Sequence, residues 1–252
     1  MTIDVQRAIE DFWTARSRGE YLPAAYFDRL SLDEAYRIQL ALIERRCAAG
    51  ERQIGWKVGL TSKAIQQQFG FHEPCFGCLL ETRPNGHVFT AGELIKPGFE
   101  TELCMRLGQP LAGEVSIEEA RAAVAAVHPS FEIIETRGDP AQIELMLADN
   151  AQQHSIVLGE PVALTPALAL DKVEARVELN GAVVATGLGA GVLDHPLNSI
   201  AWLARKLGEY GRSLQAGELV MTGSLVRQFP LAPGDRAWAS FSGIGTVEVK
   251  VV

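Results

Sequence analysis

The stretch Phe99-Glu100-Thr101-Glu102-Leu103-Cys104-Met105-Arg106-Leu107 decides how this chain is read. As a strand it sends Glu100 and Glu102 to one face and Phe99, Thr101 and Leu103 to the other, because successive side chains alternate. Like charges placed side by side repel unless a cation or proton lies between them. Pro97-Gly98 just before sets the pair at a strand end, where sites are often built. Alone, such a pair is an ordinary solvated edge feature. A third carboxylate shifts the balance, because Glu132 lies inside Phe131-Glu132-Ile133-Ile134, where an unpaired charge is costly to bury. His72, His87, His128, His154 and His195 are scattered without metal-protease spacing. Three carboxylates and no histidine cluster make an all-oxygen site that suits Mg²⁺ or Mn²⁺ better than zinc or copper.

Between the two acidic strands, Ser116 and Glu119 form a capping box ahead of an Ala-rich segment, which predicts a linking helix that ends near Pro129. Upstream, Ile9, Phe12 and Trp13 share a helical stripe. A second helix opens at the Ser31/Glu34 capping box, carries Ala35, Ile38, Gln39, Leu42 and Ile43, and stops at Gly50. From Ile54 the pattern changes to short apolar or alternating runs punctuated by Gly and Pro. Residues 1–50 are therefore read as an N-terminal helical part and 51–252 as a β-rich catalytic domain. Downstream, Asn180-Gly181 between Val173–Leu179 and Val183–Thr186 is a strong hairpin signal. Ile200, Leu203, Ala204 and Leu207 mark a further helix closed near Gly208 or Gly211, before final strands around Leu219–Thr222 and Thr246–Val252. The fold class is α+β, with β dominant after the start.

A net charge of −8 opposes a phosphate-binding footprint, so nucleic acid is not an expected partner. No apolar run is long enough to cross a bilayer, and the first dozen residues lack the basic-then-apolar layout of a signal peptide. Cys47, Cys75, Cys78 and Cys104 are too few and too irregular for a disulfide framework, so a reducing, cytoplasmic setting is expected. Cys75-Phe76-Gly77-Cys78 is formally a C-x-x-C, but it lacks the βαβ context of a redox pair or the second pair of a zinc site. Gly187-x-Gly189-x-Gly191 lacks the setting of a dinucleotide fingerprint and reads as a loop.

With those residues in view, the chain resembles the hydratase/decarboxylase branch of the fumarylacetoacetate hydrolase superfamily over nearly its whole length. The anchors are Gly55-Trp56-Lys57-Val58-Gly59-Leu60-Thr61-Ser62, Pro74-Cys75-Phe76-Gly77, Glu100-Thr101-Glu102, Phe131-Glu132 with Arg137, Ala148-Asp149-Asn150-Ala151, His195-Pro196-Leu197-Asn198 and Thr222-Gly223-Ser224. The resemblance implies a β-rich fumarylacetoacetate hydrolase-like fold with an N-terminal helical part, and Mg²⁺ or Mn²⁺ on Glu100, Glu102 and Glu132. It also implies Lys57 and Cys75 as the catalytic pair, and substrate contacts from Lys57, Leu60, Arg137 and Gln152. The implied substrate is a small 2-oxo or 2-hydroxy-dienoic acid, and the implied assembly is a homo-oligomer that can act with a paralogous enzyme. Hydratases of the family commonly carry Asp where Cys75 stands, whereas its decarboxylases have a small apolar residue there. Several members have a serine where Gln152 stands, and an arginine often precedes the Glu-x-Glu pair where Gly98 stands. The leading expectation is hydration of a 2-hydroxy-2,4-dienoate. Decarboxylation of a 2-oxo-enedioate, C–C hydrolysis of an acylpyruvate, and a non-catalytic subunit that binds a 2-oxo acid stand as alternatives.

Overall fold

The computed structural model describes residues 3–252 apart from 64, 65, 68, 69 and 140. Chain entry is helical for local reasons. Asp4 accepts from the Arg7 N–H to cap α1 (Val5–Ser17), which buries Ala8, Ile9, Phe12 and Ala15. The Ser31 hydroxyl and Glu34 carboxylate satisfy each other's backbone N–H at the start of α2 (Leu32–Ala48), and Gly50 follows at φ +110°. Tyr36 of α2 stacks on Phe76 with ring centroids 4.2 Å apart, and Gln39 Nε2 donates to the carbonyls of Phe76 and Leu147. The helical part thus shares one apolar core with the strands.

The main sheet runs β2 (Cys75–Leu79), β1 (Gly55–Gly59), β11 (Leu219–Ser224), β5 (Pro97–Leu107), β6 (Val124–Glu135), β7 (Gln153–Leu158), β3 (Thr82–Pro84). A short β12 (Phe229–Pro230) adds to β5 and β8 (Val162–Ala163) to β6. A second sheet is ordered β10 (Ala182–Leu188), β9 (Glu174–Leu179), β13 (Arg236–Phe241), β14 (Gly245–Val251), β4 (His87–Phe89), and its β14 packs on β6 and β7. The hairpin expected at Asn180-Gly181 joins β9 to β10, with both turn residues in the left-handed region at φ +54° and +82°. Helix Pro196–Gly208 forms where the apolar spacing placed it, with His195 Nδ1 accepting from the Leu197 N–H at its start.

The linking helix is shorter than expected. It spans Ile117–Ala123, and the chain from Val124 onward, Pro129 included, is strand. Alanine has the strongest intrinsic helix preference, but such preferences are small beside tertiary pairing, and pairing of β6 along the length of β5 overrides it. Pro129 is tolerated because its missing N–H faces the gap where β6 changes partner from β8 at Val127 to β7 at Ser130. Its carbonyl still accepts from the Gly159 N–H.

The β5–β6 register positions the site. Phe99 and Phe131 meet at 4.9 Å, Phe229 packs on Phe99, and all three are buried. Burying each ring is worth about 1.5–3 kcal/mol. A one-residue slip would turn these rings outward, so their burial also fixes Glu100 opposite Glu132 on the other face.

Candidate metal centre and acid-binding cavity

Glu100 and Glu132 are direct cross-strand partners, and Glu102 lies two residues along β5 on the same face. One carboxylate oxygen from each lies within 4.8 Å of the others. Glu102 and Glu132 are fully buried. Glu102 Oε2 accepts from the Gly223 N–H at 2.8 Å, while Glu102 Oε1 and both oxygens of Glu132 have no hydrogen-bond partner. Burial and then the neighbouring Glu132 and Glu100 push the Glu102 carboxyl well above the usual range. Burial pushes Glu132 up to about 7, with Lys57 opposing the shift. Orphaned carboxylate oxygens buried this deeply fit a divalent cation, which would remove both the repulsion and the unmet acceptors.

Lys57 of β1 reaches the cluster across β11, its Nζ 3.4 Å from Glu132 Oε1, an ion pair rather than a well-made hydrogen bond. Burial works against its ammonium, but Glu132, Glu100 and Glu102 outweigh that and hold Lys57 above the ordinary lysine range. Room for the long side chain comes from two missing side chains. A Cβ on Gly59 would stand 3.0 Å from Cys75 Sγ and 3.5 Å from Lys57 Nζ, and one on Gly77 would stand 3.3 Å from Lys57 Cε. Cys75 is opposite Gly59 across the β1–β2 ladder, on the same face as Lys57. Burial pushes its thiol up to about 11 despite Lys57, so it is neutral at pH 7.

Lys57, Cys75 and Glu100 open into a cavity of about 750 Å³ with apolar walls that include Ile134, Ile143 and Met146. Leu60 and Gln152 line it as well. Both have left-handed backbones, φ +54° and +63°, and Asn150 and Ala151 precede Gln152 at +60° and +50°. Such non-glycine conformations cost about 1–3 kcal/mol each and persist only where the surroundings impose them. For residues 150–152 a clasp to β2 supplies that constraint: the Asn150 side-chain amide accepts from the Cys78 N–H and donates to the Cys78 carbonyl.

Of the site residues expected from the sequence, Lys57, Leu60, Cys75, Glu100 and Gln152 share this cavity, with Glu102 and Glu132 in the cluster beneath Glu100. Arg137 does not. Its guanidinium is held by Asp149 and Glu135, and it lines a separate cavity of about 460 Å³ with Arg16 and Tyr21. The sequence reading missed Gly223, whose N–H holds Glu102. At φ +112° a Cβ on it would strike the Thr61 side chain at 2.5 Å. The Thr222-Gly223-Ser224 motif carried that signal. Segment 224–228, which forms one lip of the cavity, carried no local signal beyond Ser224.

The family model described as fumarylacetoacetate hydrolase, C-terminal, matches residues 82–252. The chain is 35% identical to the 2-hydroxyhexa-2,4-dienoate hydratase of Comamonas testosteroni over 228 residues, 88% of this chain and 86% of that one. It is 34% identical to a 4-oxalocrotonate decarboxylase of Pseudomonas putida over 231 residues, 90% of this chain and 88% of the relative. Among solved structures, 4-oxalocrotonate decarboxylase from Pseudomonas putida G7, complexed with magnesium and adipate, superposes with a TM-score of 0.91 at 31% identity, covering 98% of this chain and 97% of the other. Among the described residues no helix is long and apolar enough to cross a membrane.

Proposed function

The chain belongs to the fumarylacetoacetate hydrolase family, and from that premise we propose that it is a divalent-metal-dependent lyase that hydrates a small 2-hydroxy-2,4-dienoate to a 4-hydroxy-2-oxo acid. The observation that carries this is the pairing of three mutually close carboxylates, short of hydrogen-bond partners, with one buried lysine at the floor of an apolar cavity. Glu100, Glu102 and Glu132 would hold Mg²⁺ or Mn²⁺. When bound, such an ion supplies Lewis acidity toward the oxygens of a 2-oxo acid. The remaining work belongs to the chain. The Lys57 ammonium binds and orients the substrate carboxylate with charge-assisted hydrogen bonds. Gly223 fixes Glu102, and Gln152 and Leu60 position the carbon chain. Ile134, Ile143 and Met146 exclude bulk water, so that the dienol ketonises in a dry pocket before one water adds to the conjugated carbon remote from the carboxylate.

Cys75 favours a second reading. Its neutral thiol offers no base to that water, and decarboxylation of a 2-oxo-enedioate needs none. The test is to incubate the Mg²⁺-loaded protein with a 2-hydroxy-2,4-dienoate and with a 2-oxo-enedioate, following loss of dienoate absorbance and release of CO₂. Dienoate loss without CO₂ supports hydration, CO₂ release from the diacid supports the second reading, and inertness toward both overturns lyase activity. The same reading carries a cytosolic homo-oligomer that can act with a paralogous enzyme, which sedimentation of the protein alone and mixed with such an enzyme would test.

A further inference from the structure

The edge of the site facing the lip segment has a feature the reaction does not use. Along β5, Ser224 stands opposite Glu102 and Phe229 opposite Phe99. Four residues, 225–228, therefore span the distance that Glu100 and Thr101 cover on β5. The surplus bulges out as a lip on the cavity. The lip is braced. The Leu225 N–H donates to the Thr101 carbonyl at 2.9 Å. Behind it β10 presents Gly187, where a Cβ would lie 2.1 Å from the Leu225 carbonyl oxygen and 2.8 Å from Val226 Cγ1.

This braced lip carries Arg227, exposed, its guanidinium carbon 4.0 Å from the Phe229 ring centroid. Its neighbours in the final third behave differently: Arg205 is paired with Glu209, Arg212 with Glu44 and Arg236 with Glu248. Arg227 has no carboxylate partner among the described residues, in a chain with a net charge of −8. The cavity therefore has one cation buried at its floor, Lys57, and one exposed at its lip, Arg227, with Ile143 and Met146 on the walls. Such a lining suits a molecule with an anionic group at each end and hydrocarbon in the middle.

We propose that Arg227 reads a second carboxylate at the distal end of the substrate, so that the preferred substrate class is a dicarboxylic 2-oxo or 2-hydroxy enedioate rather than an acid with a neutral tail. The inference rests on the reading of the cavity as an acid-binding site. Its planar fork matches a carboxylate in a way that no other side chain on the lip does.

The test compares wild type, Arg227→Gln and Arg227→Lys, all loaded with Mg²⁺. Two readouts are taken: the ratio of kcat/KM for a six-carbon 2-oxo-enedioate to that for 2-hydroxypenta-2,4-dienoate, and the ratio of affinities for adipate and hexanoate by calorimetry. Arg227→Gln should lower both ratios about five- to tenfold, the value of one solvent-exposed charged hydrogen bond. Arg227→Lys should keep part of the preference. Unchanged ratios in Arg227→Gln overturn the proposal. So does a loss in Arg227→Lys as deep as in Arg227→Gln, which would place the effect in packing on Phe229. If neither acid is turned over, the lyase reading fails while the calorimetric ratio still decides the role of Arg227.

Discussion

The acidic cluster and the buried charges around Arg137 are built in opposite ways. Around Glu100, Glu102 and Glu132, three carboxylates face one lysine, and three of their buried oxygens accept nothing. Around Arg137, the charges balance. Asp149 accepts from both Arg137 and Arg16, Glu135 accepts from Arg137, and Arg137 Nη2 also reaches the Asp149 carbonyl. Tyr21 stacks against both guanidinium groups. Charge that meets its complement within the chain holds elements together, here α1 to the turn after β6. Charge that meets none is kept for something that arrives from outside. The family resemblance set Arg137 among the substrate contacts, but its donors are already engaged by the protein.

The comparison breaks most visibly at Arg137. Arg137→Ala leaves Asp149 buried with only Arg16, and should cost about 3–5 kcal/mol in urea unfolding. A loss under about 1 kcal/mol would mean that the balanced group is not structural. Next in size is Glu132→Gln, which takes a charge from the unbalanced group. Mg²⁺ should raise the melting temperature of the wild type and leave the variant unmoved, a drop in affinity of at least about a hundredfold, or about 2.7 kcal/mol of lost linkage at saturating metal. Unchanged calorimetric affinity would remove Glu132 from the metal site.

Lys57 sharpens the contrast, being the one cation in the unbalanced group. Lys57→Ala should weaken oxalate binding in the presence of Mg²⁺ about tenfold, the order of a charge-assisted hydrogen bond to a carboxylate. Equal affinity would place Lys57 outside the acid-binding pocket. The smallest effect is at Cys75, where the uncompensated field of Glu132 and Glu100 adds to burial in raising the thiol. Deprotonation creates the reactive form, so the alkylation rate of Cys75 should still climb between pH 8 and pH 10, towards a midpoint of about 11. Mg²⁺ should move that midpoint down, because it neutralises the carboxylates that disfavour the thiolate. A midpoint indifferent to Mg²⁺ would separate Cys75 electrostatically from the carboxylates.

The members of the acidic cluster were legible from sequence because two local rules pick them out. Period-two alternation puts Glu100 and Glu102 on one face, and Glu132 stands out as a charge within an apolar run. That Glu132 faces Glu100 was beyond those rules, since the β5–β6 register is set by Phe99, Phe131 and Phe229, which meet only in the folded sheet. Both capping boxes and the Asn180-Gly181 turn were likewise readable, each resting on a few adjacent residues. The extent of helix Ile117–Ala123 was not, because strand pairing with β5 outweighs the helical preference of Ala125 and Ala126. The destination of Arg137 escaped for a similar reason. Whether an arginine is free depends on partners in other elements, here Asp149 and Glu135.

The run Asn150, Ala151 and Gln152 has a consequence for anyone who sets out to make this protein sturdier. Glycine takes a left-handed backbone without strain, so Ala151→Gly would relieve part of the tension that the Asn150–Cys78 clasp imposes. The same change would slacken the strap on which Gln152 rides, so that robustness gained at this spot would be exchanged against fidelity in how the substrate is seated.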